Sequence, residues 1–323
     1  MSRPSGPSGH LPPRAGGGES IRCSVLGLGL RCALGEDPAV VLARLDAGES
    51  AVALQPHLWP LAEGRAAMAP DPGLRPWLRH PKEAKLFARP AALALPAAGE
   101  ALRAWTGERL ELGLYLGVGA EPPDSGDSEQ AILASERDGH LDEERLATRG
   151  RALYPPLLPL RTLPNMALAH LSIQLGIGGS NGAWTGRAEA GLQAVRAAMY
   201  AIAEGRCPAA LAGGTDSLVE LACARDLRRL DYFGPPGEAA AILLLGPPGH
   251  PGAIAELSLE GGSAEEAPAT DHRQALGACG AADGALALVL AVARAVAGQV
   301  AGGGEARCLA VGEGQRLRVE GLP

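Results

Sequence analysis

Aromatic side chains are scarce in this sequence: four Trp, four Tyr and two Phe among 323 residues. A core without large rings must be filled by Ala, Leu and Val, and the 45 glycines allow backbones to approach closely. No C-x-x-C pair occurs among the six cysteines, Cys23, Cys32, Cys207, Cys223, Cys279 and Cys308. Each lies in an apolar or Ala-rich stretch, so they read as buried thiols of a reduced, cytoplasmic protein. No two of the seven histidines stand at ligand spacing, so no metal site is expected. Gly27-Leu28-Gly29-Leu30 is only a fragment of a G-x-G-x-x-G, and no NAD, phosphate or other cofactor is called for. Basic blocks are missing and the net charge is −7, which argues against nucleic acid or an anionic membrane as partner. The most apolar late run, 284–298, contains Arg294 and falls short of the ~20 residues a span requires. Residues 1–19 have no apolar core of a secretory signal and are expected to be a disordered Pro/Gly tail.

What is present alternates between strand and helix patterns. A glycine-broken apolar strand opens at Ile21, followed by a helix from Pro38 to Ala47 with Asp37 as its cap. Residues 55–82, rich in Pro, Trp, His and Arg, read as an irregular excursion. A helix over 91–105 leads to a second apolar strand, Leu110 to Gly119. The charged stretch 121–151 reads as loop and exposed helix. Then come a helix (166–176), a Gly/Ser/Asn turn, a short strand (182–186) and an Ala-rich helix (188–204). Strands at 208–214 and 239–245 complete a first part. After the Gly-Pro-Pro-Gly of 246–249 the pattern restarts, with a strand at 253–262, a helix over 272–297 and a closing hairpin over 308–322. Strands alternating with helices predict a mainly parallel α/β sheet covered on both faces.

The run NMALAHLSIQLGIGGSNGAWTGRAEAG, Asn165 to Gly191, resembles the nucleophile region of β-ketoacyl synthases of the thiolase superfamily. Members typically read N-M-A-A-G-H-V-S-I-x-x-G-x-x-G-P-N, then a short strand, then S-T-A-C-A-T-G. The match runs without a gap through His170, Ser172, Ile173, Gly176, Gly179 and Asn181. Four further blocks follow in the family's order. IRCSVLGLGLRCALGED is similar to its opening strand, LAGGTDS (211–217) to A-G-G-T-E-S, GEAAAILLL (237–245) to G-E-G-A-x-V-L-V-L, and LGACGAADG (276–284) to the helix reading L-G-A-A-G-A. The resemblance implies a thiolase-like α/β fold, layered αβαβα, with two pseudo-repeated halves. It implies an N-terminal half over 20–246 and a shortened C-terminal half over 247–323.

Active members need a cysteine at the start of the long helix and two histidines. In the gapless register the cysteine position falls on Ala188, a methyl group that cannot attack a thioester. The second histidine position falls on Gln274. His272 lies two residues earlier, about 200° round a helix, and could substitute only if the helix began after it. No H-G-T for the first histidine occurs anywhere, and the nearest equivalent of the family's glycine-rich active-site loop is 310–314. No catalytic residue is therefore assigned. The expectation is a homologue that has lost the 3-oxoacyl-ACP synthase, acyl-transferring chemistry.

Thr185, Arg187, Glu189, Gln274 and Cys279 are candidates to line the vacated pocket. Cys279 reads better as a packed substitute for an alanine than as a replacement nucleophile, because no histidine is placed to activate it. Arg187 and Glu189 either hold a polar ligand or form a buried or interface ion pair. Family members dimerise along the strand before the long helix, so Ala183, Trp184 and Thr185 are interface candidates; Trp184 could instead fill the emptied acyl tunnel. A cut-down second half would expose surface that a partner or a local rearrangement must cover. Three functions stand open. One is a non-catalytic partner of an active ketosynthase in fatty acid or polyketide biosynthesis, in the manner of chain-length factors, with the partner a ketosynthase homologue or a second copy and an acyl carrier protein nearby. Another is a scaffold or adaptor pseudoenzyme, and the last is residual thioester hydrolysis or decarboxylation.

Overall fold

A computed structural model describes residues 20–59, 61–119, 128–220, 223, 234–261, 272–298, 308–312 and 315–322. The expected tail, residues 1–19, lies outside them. Eight strands form one sheet: β1 (Ile21–Cys32), β2 (Gly113–Gly119), β3 (Asn181–Gly186), β4 (Ala210–Ser217), β5 (Glu238–Gly246), β6 (Ala255–Gly261), β7 (Cys308–Gly312) and β8 (Gln315–Gly321). Their order across the sheet is β3-β2-β4-β5-β1-β6-β8-β7. Six helices pack on it: α1 (Pro38–Asp46), α2 (Arg89–Ala101), α3 (Met166–Leu175), α4 (Ala188–Ala203), α5 (His272–Leu276) and α6 (Asp283–Val296).

The expectation of a mainly parallel sheet needs correction. Only β2 pairs in parallel, with β3 and with β4, and these are the strands joined through the α3 and α4 crossovers. Every other pairing is antiparallel.

Two halves are visible in the strand order. The first strand, β1, lies beside β5, and β5 beside β4, which α4 precedes. The strand β6 likewise lies beside β8, and β8 beside β7, which α6 precedes. Among the described residues the second half has no strands answering to β2 and β3. The described residues of the second half are one strand, the helices α5 and α6, and two closing strands.

One apolar layer joins α2 and α3 to the outer face of the sheet through Leu93, Leu95, Leu171, Leu116, Leu211 and Ile242. A second, on the inner face, buries α4 and α6 against β1, β5, β6 and β8. The sheet curls round these two helices, so that α4 touches both β2 and the distant β7. With few rings available, close approach replaces bulk. A Cβ on Gly29 would lie 1.8 Å from the Ala97 carbonyl oxygen of α2, so that helix rests directly on the strand. A bulge between Val25 and Gly27 turns Leu26 to the outer face and returns Leu30 and Cys32 to the inner one.

The outer face of β6 and β8 is polar. Arg22 pairs with Glu320 (3.3 Å), Arg318 with Glu320 (3.2 Å) and Glu260 (3.7 Å), and Arg316 with Glu260 (3.0 Å). The helices packed on these strands lie on the opposite, apolar face. These ion-paired side chains are 21–51% exposed, so the outer face of β6 and β8 is a charged surface and not an apolar one.

The predicted helix over 272–297 is two helices. Gly277 (φ 71°) and Gly280 (φ 53°) adopt left-handed backbone between α5 and α6, a conformation glycine enters without a side-chain clash. The closing hairpin forms as β7 and β8, with residues 313–314 outside the described set.

Candidate functional site

The strand β3 is the edge of the sheet, paired only with β2. Along it Asn181, Ala183 and Thr185 are exposed, while Trp184 alternates inward, half-buried, with its ring 6.0 Å from that of Tyr115. Trp184 thus packs on the interior, and the outward interface candidates are Ala183 and Thr185. Arg187 is the N-cap of α4, at φ −105° and ψ −142°, with no side-chain cap bond. Arg187 and Glu189 are both exposed, and no ion pair links them. They form no buried pair with each other, which corrects that alternative; their exposure is compatible with a polar ligand or an interface ion pair. Glu189 sits in the first turn of α4, where the helix N-terminus favours a carboxylate.

Ala188 begins α4, at the position where a thiolate would benefit from that N-terminus. Backbone closes on it. A Cβ on Gly284 would lie 2.5 Å from the Ala188 carbonyl oxygen, and one on Gly214 would lie 2.5 Å from that of Ala281. The turn between α5 and α6 thus seats itself against the start of α4.

The other sequence candidates lie elsewhere. Gln274 is exposed and lines, with His272, a cavity of about 390 Å³ walled by α1, α5 and α6. No residue of β3 or α4 belongs to that cavity. His272 is itself the first residue of α5 and is buried, its Nε2 3.4 Å from Asp283 Oδ1. Cys279 has no exposed surface; its thiol donates to the carbonyls of Leu276 and Gly277. Burial, reinforced by the Asp283 charge, holds its pKa well above the ordinary thiol value. It is a packing residue and no nucleophile. The five described cysteines are all buried free thiols. Cys23 is pushed up to about 12, first by burial and then by the Glu256 charge. Of the expected loop equivalent at 310–314, residues 313–314 fall outside the described set. Among the described residues there is no metal-binding cluster and no helix long and apolar enough to cross a membrane.

The family model of the β-ketoacyl synthase N-terminal domain matches residues 22–241, well over half of the chain. The chain belongs to the β-ketoacyl synthase family. No curated protein matches it. Among solved structures, it is similar to the type II polyketide synthase acyl-carrier protein in complex with its ketosynthase, AntDE:AntF. That likeness has a TM-score of 0.68 and 16% identity, over 93% of this chain and 98% of that one. It is similar also to the ishigamide ketosynthase/chain length factor, with a TM-score of 0.65 and 18% identity over 92% and 98%. A β-ketoacyl synthase from Burkholderia phymatum STM815 follows, with a TM-score of 0.62 and 17% identity over 85% and 86%. At these identities the likeness is one of fold.

Three buried carboxylates organise this family member, and none was singled out from the sequence. Glu238, fully buried at the start of β5, accepts from Arg89 through both oxygens (2.7 and 3.0 Å), from the Ala69 N–H (2.9 Å) and from the Ser217 hydroxyl (2.8 Å). Asp283 accepts from the Cys279 N–H (2.9 Å) and Arg273 Nε (3.1 Å). Asp216, at the end of β4, accepts from the Ala281 N–H (2.9 Å) and the Ser217 N–H (2.8 Å), wedged against Gly119 and Gly280. The available signal was a lone acid inside an apolar or Gly-rich block, which must find donors if it is buried.

Burial raises the Asp216 pKa from 3.8 to about 7, with the Asp283 charge adding to it. The folded protein therefore keeps a proton there that the unfolded chain releases near pH 4. Stability falls as pH rises across that window, by an amount on the order of a few kcal/mol. Urea unfolding of wild type and Asp216→Asn at pH 4.5 and 7.5 (about the two ends of the window) should show a larger loss in wild type. Parallel losses in the two proteins would refute the assignment.

Proposed function

We propose that this β-ketoacyl synthase homologue is a non-catalytic subunit that pairs with an active ketosynthase, as a chain-length factor does, in fatty acid or polyketide biosynthesis. The observation that carries the proposal is Ala188, which stands at the first position of α4 where the family places its thiolate. Gln274 at the second histidine position adds to it, since it faces a different cavity. The buried Cys279 offers no substitute, so residual hydrolysis has no nucleophile in its favour. The case for an adaptor rests on the shortened second half, since chain-length factors usually keep full length; the match over 98% of the AntDE:AntF and ishigamide chains supports the subunit reading instead.

The partner's seam is the free edge of β3. An unpaired edge is a template for another strand, and Asn181, Ala183 and Thr185 project outward there. Exposed apolar side chains support a protein partner as well. Ile132, Leu133, Leu153, Tyr154, Leu157 and Leu163, each 43–61% exposed, fall in one short segment. The ishigamide structure pairs a ketosynthase with a chain length factor by name, and the AntDE:AntF structure holds an acyl-carrier protein with its ketosynthase. We propose with this that the chain divides at residues 246/247, that it works in the cytoplasm, and that the acyl carrier protein docks on the paired enzyme.

Co-expression with an intact ketosynthase encoded beside it, followed by native mass spectrometry, should give a one-to-one complex. Condensation should be measurable in that complex and undetectable for this chain alone. A chain that forms only its own oligomer and ignores the synthase, or that condenses unaided, would sink the proposal.

A further inference from the structure

The cavity beside α1 belongs to no part of the acyl chemistry above. Its volume, about 390 Å³, lies within the range of small-molecule sites. Leu42 and Leu45 of α1 and Leu290 of α6 give it an apolar floor. Its rim is tied together. The Ala51 N–H donates to the Ala275 carbonyl (2.9 Å) and the Ser50 hydroxyl to that of Gln274 (3.3 Å), which fixes the loop after α1 to α5. Arg44 pairs with Glu49 (2.8 Å), and Arg294 reaches from α6 to Asp46 at the end of α1.

Two side chains that line the cavity keep polar atoms without a protein partner. Arg294 donates to Asp46 through Nη2, and its Nε and Nη1 have no acceptor among the described residues. The side chain is 15% exposed, and neither of these nitrogens is sealed from solvent. Gln274 is exposed, and its side-chain amide likewise has no partner among the described residues. The cavity therefore offers guanidinium donors on one side and an amide, donor and acceptor together, on the other.

Charge narrows what can use them. Both carboxylates of the rim, Asp46 and Glu49, are already held by guanidinium groups, so no unpaired anion calls for a cation, and Arg294 itself repels one. An anion would enter beside those carboxylates and at the last turns of α1 and α6, whose carbonyl ends disfavour negative charge. An uncharged group that both accepts and donates meets neither penalty, and a carboxamide is such a group. We propose that this cavity binds an uncharged aliphatic carboxamide. Its carbonyl accepts from Arg294, its N–H donates to Gln274 Oε1, and its alkyl chain lies on Leu42, Leu45 and Leu290.

The test is titration of the full-length, 15N-arginine-labelled protein with hexanamide, read by 1H–15N correlation at the guanidinium Nε–H. Sodium hexanoate and hexylammonium chloride, matched in chain length, are the comparison ligands at constant ionic strength, and Arg294→Lys assigns the resonance. The expected result is a saturable shift of Arg294 Nε–H with hexanamide. Each charged analogue should need at least about tenfold higher concentration. Gln274→Leu, which changes an exposed side chain, should raise the half-saturation concentration about fivefold, the worth of one hydrogen bond. Ala275→Leu, which fills the cavity, should raise it about tenfold or more. Circular dichroism identifies which variants remain folded. The absence of a saturable shift, an equal response to hexanoate or hexylammonium, or an unchanged titration in either folded variant would each overturn the proposal.

Discussion

Replacing Arg89 with alanine should destabilise this protein by about 3–5 kcal/mol, the range seen when one partner of a buried ion pair is removed. Glu238 is fully buried, whereas the Arg89 side chain remains 27% exposed. The bidentate pair gives the buried carboxylate two guanidinium donors inside the fold. The same guanidinium donates to the Ala69 and Pro70 carbonyls, so it also fastens the 69–70 segment to the start of α2. Its loss leaves Glu238 with only the Ala69 N–H and the Ser217 hydroxyl. Urea unfolding of Arg89→Ala, Glu238→Gln and the double variant measures the coupling between the two residues. The double variant should recover much of the single-site loss, because no uncompensated charge remains. An Arg89→Ala loss below about 1 kcal/mol, the size of a surface pair, would refute the account.

Gly117→Ala should be at least as damaging. An added Cβ would lie 2.3 Å from the Gly191 nitrogen and 2.4 Å from the Ala190 carbonyl carbon, both backbone atoms of α4. No rotamer change relieves such a contact, so α4 would have to lift from β2. The lift would move Ala188 and the close seat of Gly284 with it. Overpacking typically costs about 1–3 kcal/mol and more where backbone must shift, so a loss of about 3 kcal/mol or failure to accumulate folded protein is expected. Gly261→Ala is the control: nothing lies within 4 Å of its added Cβ, and it should change stability by no more than about 0.5 kcal/mol. Thermal and urea unfolding of the pair measure the difference. Equal, small effects would mean that the helix–sheet approach at Gly117 is not fixed.

Much of this scaffold was legible in local pattern. Asp37 caps α1 as expected, its Oδ1 accepting from the Ala39 and Val40 N–H groups. The block from Asn165 onward gave α3, its left-handed Gly176 stop, β3 and α4 within a residue or two of their observed ends. Periodicity failed where the signal was composition rather than spacing. The apolar run 272–297 has helical character throughout, and only the left-handed glycines break it. The direction of β5 was not legible, because a buried strand reads alike whichever way it runs.

The site divided in the same manner. The proposal that Ala188 and Gln274 occupy the family's catalytic positions rests on register alone. The sequence by itself also determined the family, the order of elements and the small-residue core, since each is written in contiguous runs that local geometry reads directly. Only the tertiary structure decided that Arg187 and Glu189 stand in water, that Trp184 turns inward, and that Cys279 is sealed. It alone brought Arg89 to Glu238 across 149 positions and the Ala281 N–H to Asp216 across 65. The physical reason is that a charge's worth depends on what surrounds it. Surroundings assembled from distant segments leave no trace in the spacing of any one of them.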